Sequence, residues 1–282
     1  MTTTTQPATT LTFGGILRSE LIKLRTLRST IWCYAIAVFF TVALGLLITS
    51  VSAFEGDPLP TTIQQATAAQ FITVGVGFSQ LVVVVLGALV ITGEYGTGMI
   101  RTTMAAVPER LPALFGKALV FGVVTFVLSL AAIALTTALT APLMPKAGVT
   151  PDFGDGALLL TLLGAPAYLA LVGVFAFALG AIIRNSAGGI AAALGAILVL
   201  PSLVSIFSSI TQATWAYNLN QFLPSTAGER MLSYPVDAGA RVDSGLEGGL
   251  ITLEPWQGGL VLVAWVVVLL GIAAFAVKRR DV

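Results

Sequence analysis

Six long apolar runs alternate with shorter polar segments along this chain. A helix that rises 1.5 Å per residue needs about 20 residues to cross a hydrocarbon core of about 30 Å. Backbone groups in lipid must bond within their own segment, so runs that are apolar on every side predict transmembrane helices. The predicted spans are residues 31–51, 71–92, 119–139, 157–183 (with a kink expected at Pro166), 187–210 and 256–277.

The segment before the first span has a helical rather than a uniform pattern. Apolar residues recur three and four positions apart from Phe13 to Ile31, with arginines on the opposite side. This pattern predicts an amphipathic helix in the membrane interface, which is either a plain anchor or a mechanical elbow. The elbow residues are Glu20, Lys23 and Arg25. Before it, the Thr-rich residues 1–10 predict a disordered tail, and residues 11–282 form one transmembrane domain.

The basic residues predict which side of the membrane each segment occupies. With the N-terminus in the cytoplasm, 11 of the 14 basic residues fall in cytoplasmic segments, and nine of the 13 acidic residues fall outside. Lysine and arginine are enriched in cytoplasmic loops. The pattern therefore predicts cytoplasmic N- and C-termini, a cytoplasmic loop over residues 93–118 and an external loop over residues 211–255.

Composition supports a membrane protein and excludes several functions. Hydrophobic residues make up 56% of the 282 residues and charged residues only 10%, against roughly 25% charged residues in soluble domains. The chain has no histidine and one cysteine, Cys33, so it has no Ser-His-Asp triad, no histidine proton relay and no internal disulfide. A net charge of +1 gives no indication of nucleic-acid binding.

The cytoplasmic loop contains a glycine-rich turn followed by a short helical segment. Glycines allow a change of direction where the second span ends, and a short helix can run from Met99 to Val107 before Pro108 ends it. Such a helix is either an ordinary connector or a lever that moves the spans behind it. The residues that form this candidate lever are Glu94, Gly96, Gly98, Met99, Ile100, Arg101, Thr102 and Thr103.

Two acidic residues need partners because an unpaired charge at membrane depth is costly. Glu20 lies near the apolar stripe of the amphipathic segment, and Lys23 at i+3 is its nearest partner. Glu94 either faces headgroups and water or pairs with Arg101 or with an arginine of the amphipathic segment. The spans otherwise carry almost no ionisable side chain, which argues against an ion-coupled transporter.

Small residues four positions apart in the fifth run allow close helix packing. Ala187, Ala191 and Gly195 predict a packing face, either within the chain or between two copies.

Several short motifs together resemble the ABC-2 type permeases, the membrane subunits of ABC transporters. An acidic residue, Glu94, ends the second span, and the Gly96-Thr97-Gly98 turn follows it. The other motifs are the basic segment from Arg18 to Arg25 and Phe222–Gly228 of the external loop. The resemblance implies an all-α fold with six transmembrane helices and an N-terminal interfacial helix, like that of type V exporters.

The resemblance also implies a function and partners. A coupling helix over Met99–Val107 would contact an ATPase subunit, and short re-entrant helices would occupy the external loop. The second and fifth helices would line the dimer axis and the export route, which makes Phe78 and Gln80 candidates for the substrate path. The chain would be the permease of an exporter of hydrophobic or amphiphilic cargo in a bacterial plasma membrane. Its partners would be two ATPase subunits, a second permease copy and lipid.

The chain lacks the Gly-x-x-x-x-Gly-Lys loop that binds nucleotide phosphates. We therefore expect no enzymatic activity and no cofactor in this chain, with ATP and Mg²⁺ bound by the partner subunit. The alternative from another class is a membrane sensor or mechanical scaffold that binds an ATPase without transporting a cargo.

Overall fold

The computed structural model describes residues 12–53, 59–98, 110–236 and 250–279. All regular structure in these ranges is helical, and six helices are long and apolar enough to cross a membrane. The predicted class of a multi-pass, all-helical membrane protein is thus confirmed. The helices are α1 (Phe13–Thr26), α2 (Arg28–Val51), α3 (Thr61–Thr73), α4 (Val76–Gly96), α5 (Arg110–Thr140), α6 (Gly156–Ile183), α7 (Ser186–Leu194), α8 (Leu200–Thr211), α9 (Thr214–Gln221), α10 (Pro224–Glu229) and α11 (Pro255–Arg279).

The amphipathic segment forms α1 as predicted. The Thr12 hydroxyl caps it by accepting the backbone N–H of Gly15 at 3.3 Å. Extended backbone at Leu27 then separates α1 from the first span, α2. We call the side of the bundle that carries α1 the α1 end.

The second span is longer than predicted because it includes a polar helix. Helices α3 and α4 together cover Thr61–Gly96, but the glutamines and threonines of α3 lower its hydropathy, so the pattern indicated a start only at residue 71. The break between the two helices lies at Gly75, where a Cβ would approach the Cα of Thr41 to 2.5 Å. Only glycine fits there without moving α2.

The predicted loop over residues 93–118 is also too long. Helix α4 continues to Gly96, and α5 begins at Arg110. The pattern missed the first nine residues of α5, about two and a half turns, because Lys117 interrupts the apolar run. The segment between the helices is therefore residues 97–109, of which 99–109 lie outside the described residues.

Helix α6 forms the centre of the bundle. It packs against α4, α5 and α11, and its Tyr168, Phe175 and Phe177 are fully buried. The backbones of α4 and α6 come so close that a Cβ on Gly87 would overlap the carbonyl oxygen of Gly173. Close approach through glycine is the usual packing device of membrane helices. Helix α6 is continuous through Pro166.

The fourth and fifth spans form a tight hairpin, since only Arg184 and Asn185 separate α6 from α7. Arg184 ends α6 in the left-handed region at φ 61°, and the Asn185 side chain caps α7 by accepting the Gly188 N–H at 2.9 Å. The fifth span consists of α7, a π-helical turn over Gly195–Val199 and α8. The π-helical turn ends two residues before Pro201. Proline has no backbone N–H to donate to the preceding turn of a helix.

At the end opposite α1, short helices enter the bundle. Gly228 of α10 lies against the ring of Tyr168, which is 12 residues, or about 18 Å, into α6. Gly258 of α11 packs against the carbonyl of Ala227. The connection between the fifth and sixth spans therefore does not stay on the surface.

Candidate functional site: a buried charge cluster

Three helices bring four charged side chains together at the α1 end. Glu20 and Lys23 come from α1, Glu94 comes from the last turn of α4, and Lys117 comes from the second turn of α5. We call these four residues the charge cluster. Glu94 and Lys117 lie on the two sides of the 97–109 connection.

Lys117 lies at the centre of the charge cluster. Its Nζ donates to Oε2 of Glu20 and to Oε1 of Glu94, both at 2.6 Å. Lys23 joins the same two carboxylates from the other side, at 2.7 Å from Oε1 of Glu20 and 3.1 Å from Oε1 of Glu94. Each lysine therefore bridges both acids, and together the four ion pairs fix α1 against α4 and α5.

The charge cluster is largely sealed from solvent. Glu20, Glu94 and Lys117 are each at most 7% exposed, whereas the side chain of Lys23 is 31% exposed. Two positive and two negative charges balance, which is what burial of ions requires. Burial alone would lower the pKa of Lys23, but its hydrogen bonds and charge attraction with Glu20 and Glu94 raise the pKa overall.

One acceptor of the charge cluster has no described partner. Oε2 of Glu94 is buried and accepts no hydrogen bond from any residue in the described part of the chain. A buried carboxylate oxygen without a donor costs about 1–3 kcal/mol or more. Glu94 is thus the least satisfied member of the cluster, and it lies three residues before the 97–109 connection.

The predicted pairings are confirmed in part. Lys23 pairs with Glu20 as the i+3 spacing indicated. Glu94 is paired, but its described partners are lysines rather than an arginine of α1, and Arg25 is exposed. Lysine partners are possible because Nζ of Lys117 reaches into the buried space between α1 and α4.

The predicted lever residues fall only partly within the described structure. Gly96 ends α4, and Gly98 adopts φ 71°, a left-handed conformation that favours glycine. The Cβ position of both is open. The remaining predicted lever residues, Met99, Ile100, Arg101, Thr102 and Thr103, lie outside the described residues.

Phe78 and Gln80, the predicted substrate-path residues, face different surroundings. Phe78 is 55% exposed and stacks on Phe40 with ring centres 5.8 Å apart. Gln80 is buried, accepts a hydrogen bond from the Tyr168 hydroxyl and donates to Oε1 of Glu229 at 3.5 Å. Glu229 is exposed, but desolvation by the surrounding protein raises the pKa of its carboxyl group. Gln80 therefore links α4 to α6 and α10.

The predicted face of Ala187, Ala191 and Gly195, which left packing within the chain and packing between two copies open, is not the face that packs within the chain. Gly189 approaches Gly180 of α6, and Ala193 is fully buried. Ala187 and Ala191 are exposed instead. Spacing by four identifies a stripe but does not say which of several small-residue stripes meets the neighbouring helix.

Sequence reasoning missed Lys117 as a member of the site. Hydropathy places Lys117 just before the predicted third span, which indicates only a basic residue of the cytoplasmic loop. A signal was present, since Lys117 follows Ala113 and Leu114 at helical spacing and would lie on the same buried face.

The fold and the charge cluster define a class: a multi-pass membrane protein of six candidate spans with an amphipathic N-terminal helix fixed to the bundle by buried ion pairs. The sequence matches no model of a known protein family and no curated protein.

Proposed function

We propose that this chain is the permease subunit of an ATP-driven exporter of the ABC-2 class, with ATP and Mg²⁺ bound by separate ATPase subunits. The observation that carries the proposal is the charge cluster. It joins the interfacial helix α1 to both helices that flank residues 97–109. A partner that pushes on this connection would move α1, α4 and α5 as one body.

The rigidity of this joint supports a mechanical role. Helix α1 is not next to α4 or α5 in the sequence. Glu20 and Glu94 nevertheless share both lysines, with all four N–O distances within 3.1 Å. A plain anchor needs only exposed basic residues and an apolar face. Four ion pairs across three helices, two of them fully buried at Lys117, exceed that need, because burying each ion costs several kcal/mol of desolvation.

The fifth span supports pairing with a second permease copy. Among the 18 most apolar consecutive residues of this span, only 11% are buried within the chain, whereas the corresponding share in the fourth span is 61%. Its exposed stripe of small residues permits close approach of another helix. The proposed complex therefore contains two permease copies and two ATPase subunits, in the plasma membrane with both termini in the cytoplasm. Its cargo would be hydrophobic or amphiphilic.

Co-purification with an ATPase subunit and cargo-stimulated ATP hydrolysis test this function. Replacing Arg101 by alanine, or placing proline within residues 99–107, should leave membrane insertion and basal hydrolysis intact but abolish transport. Lys278→Ala, at the exposed end of α11, is the matched control for loss of a basic residue.

The outcome separates the alternatives. Normal transport in all of these variants would contradict the hypothesis that residues 99–107 transmit force to the spans. An ATPase that binds the chain but is stimulated by no cargo would favour a sensor or scaffold. A purified chain that transports without any nucleotide-consuming partner would exclude the proposal.

A further inference from the structure

A groove at the end opposite α1 combines an apolar lining with a single carboxylate and an indole ring. It has a volume of about 350 Å³ and lies between the N-terminal part of α6, the turn at Met231 and the start of α11. Its lining includes Leu160, Gly164, Met231, Glu254 and Trp256. This volume is within the range of small-molecule sites.

The groove has a polar mouth and an apolar floor, which matches the polar and apolar parts of an amphiphilic molecule. Glu254 and Pro255 lie at the start of α11, where a span begins. Gly164 lies eight residues into α6, or about 12 Å deeper. The carbonyl of Met231 fills the space that a Cβ on Gly164 would need, so backbone forms part of the floor.

The carboxylate at the mouth is available to a ligand. Glu254 is exposed, and the Gln257 side chain accepts its backbone N–H at 2.9 Å. Within residues 12–53, 59–98, 110–236 and 250–279, the Glu254 carboxylate forms no hydrogen bond or ion pair. The nearby Asp155, in contrast, uses one oxygen for the Tyr234 hydroxyl at 2.6 Å and the other for the Ala157 N–H at 3.0 Å.

The charge balance at the mouth favours a cation. The N-termini of α6 and α11 each contribute about +0.5 charge, which is less than the full negative charges of Asp155 and Glu254. Arg230, next to the lining residue Met231, directs its Nε and Nη2 to Oε1 of Gln221 on α9, at 3.1 and 2.7 Å. Arg230 keeps its positive charge but is directed towards α9 and is not a lining residue, so Glu254 is the one charged side chain among the described residues that line the groove.

Trp256 adds a second feature that recognises cations. Its side chain is 65% exposed and lines the groove beside Glu254. An indole face attracts organic cations, and tryptophan binds them better than the other aromatic residues. The apolar floor would take the hydrocarbon part of the same molecule.

We propose that this groove binds amphiphilic organic cations. A zwitterionic phospholipid fits less well, because its phosphate would lie beside the Glu254 carboxylate and its two chains exceed a cavity of about 350 Å³. The proposal goes beyond the proposed exporter function and does not depend on it, because binding needs neither nucleotide nor an ATPase partner.

Binding of tetraphenylphosphonium to the purified full chain in nanodiscs tests the proposal, with tetraphenylborate as the anion of matched shape. We expect saturable binding of the cation and at least tenfold weaker binding of the anion. Glu254→Gln should weaken cation binding roughly fivefold, and Trp256→Leu roughly threefold.

Matched controls lie at the same end of the bundle. Trp215 is 63% exposed but packs against Phe207 away from the groove, so Trp215→Leu should leave affinity unchanged. Asp152 is an exposed acid outside the lining, and Asp152→Asn should also have no effect. Elution volume in size-exclusion chromatography checks that each variant is folded.

The results can overturn the proposal in three ways. Equal binding of the anion would show that charge does not select the ligand. Unchanged affinity in both Glu254→Gln and Trp256→Leu would place any binding elsewhere. The third outcome concerns lipid. If wild type and variants bind tetraphenylphosphonium with equal affinity in phosphatidylcholine nanodiscs but with different affinity in phosphatidylglycerol nanodiscs, a lipid headgroup occupies the groove.

Discussion

Replacing Lys117 by methionine removes the centre of the charge cluster while keeping a side chain of similar length. Each of its two contacts is 2.6 Å long, which corresponds to a gross attraction of about 6 kcal/mol at an effective dielectric constant of about 20. Most of this attraction is offset by the desolvation of the three ions. In the variant, two buried carboxylates remain with only the partly exposed Lys23 to balance them.

We therefore expect Lys117→Met to lower the free energy of unfolding by about 3–5 kcal/mol, the usual cost of leaving a buried charge without its partner. The assay is equilibrium unfolding in mixed detergent micelles, followed by circular dichroism. Lys278→Met, which removes an exposed lysine near the same end, should change stability by less than about 0.5 kcal/mol.

A double variant distinguishes charge balance from packing. Glu94→Gln with Lys117→Met removes one charge of each sign and leaves the 2.7 Å pair between Lys23 and Glu20 intact. It should recover at least about 1.5 kcal/mol relative to Lys117→Met alone. A loss below about 1 kcal/mol in the single variant, or an equal loss in the double variant, would refute the role assigned to Lys117.

Three further predictions concern packing, hydrogen bonding and pH. Gly87→Ala should lower the free energy of unfolding by about 1–3 kcal/mol, because the added methyl group pushes α4 away from α6. Gly77→Ala is the control, since the space at its Cβ is open and its stability should not change. Thermal unfolding of the two variants compares them. Tyr168→Phe should cost about 1–3 kcal/mol by leaving the buried Gln80 oxygen without a donor, and adding Gln80→Leu should recover part of that loss. The raised pKa of Lys23 stabilises the fold fully below the usual lysine pKa, and this contribution is lost as pH rises through the folded-state pKa. Thermal melts from pH 9 to 12 should therefore show a loss in the wild type that is absent in Lys23→Met.

The sequence predicted the number and approximate position of the spans because one local property, about 20 consecutive apolar residues, decides membrane crossing. It failed where polar residues belong to a span for tertiary reasons. The polar α3 was missed because its Gln65 is buried against another segment, donating to the Asp152 carbonyl at 3.1 Å. No local window contains that partner, which is 87 residues away.

The candidate site was predictable only where both partners were close in sequence. Glu20 and Lys23 are one helical turn apart, so spacing alone identified the pair. Lys117 is 97 residues from Glu20, and its role depends on how α5 lies against α1. The same limit applies to Gln80, whose partners Tyr168 and Glu229 come from two other helices.

Polar groups of different strength occupy different depths of this bundle, and their cost explains the arrangement. Full charges are tolerated at the α1 end, where Lys23 still reaches solvent and ion pairs are satisfied from two sides. Deeper in the bundle, a neutral amide and a phenol replace them at Gln80 and Tyr168, since a charge near the membrane centre costs several kcal/mol. Ion pairs between full charges therefore fix α1, α4 and α5 together, whereas the polar contacts of α4 with α6 and α10 use the neutral amide of Gln80.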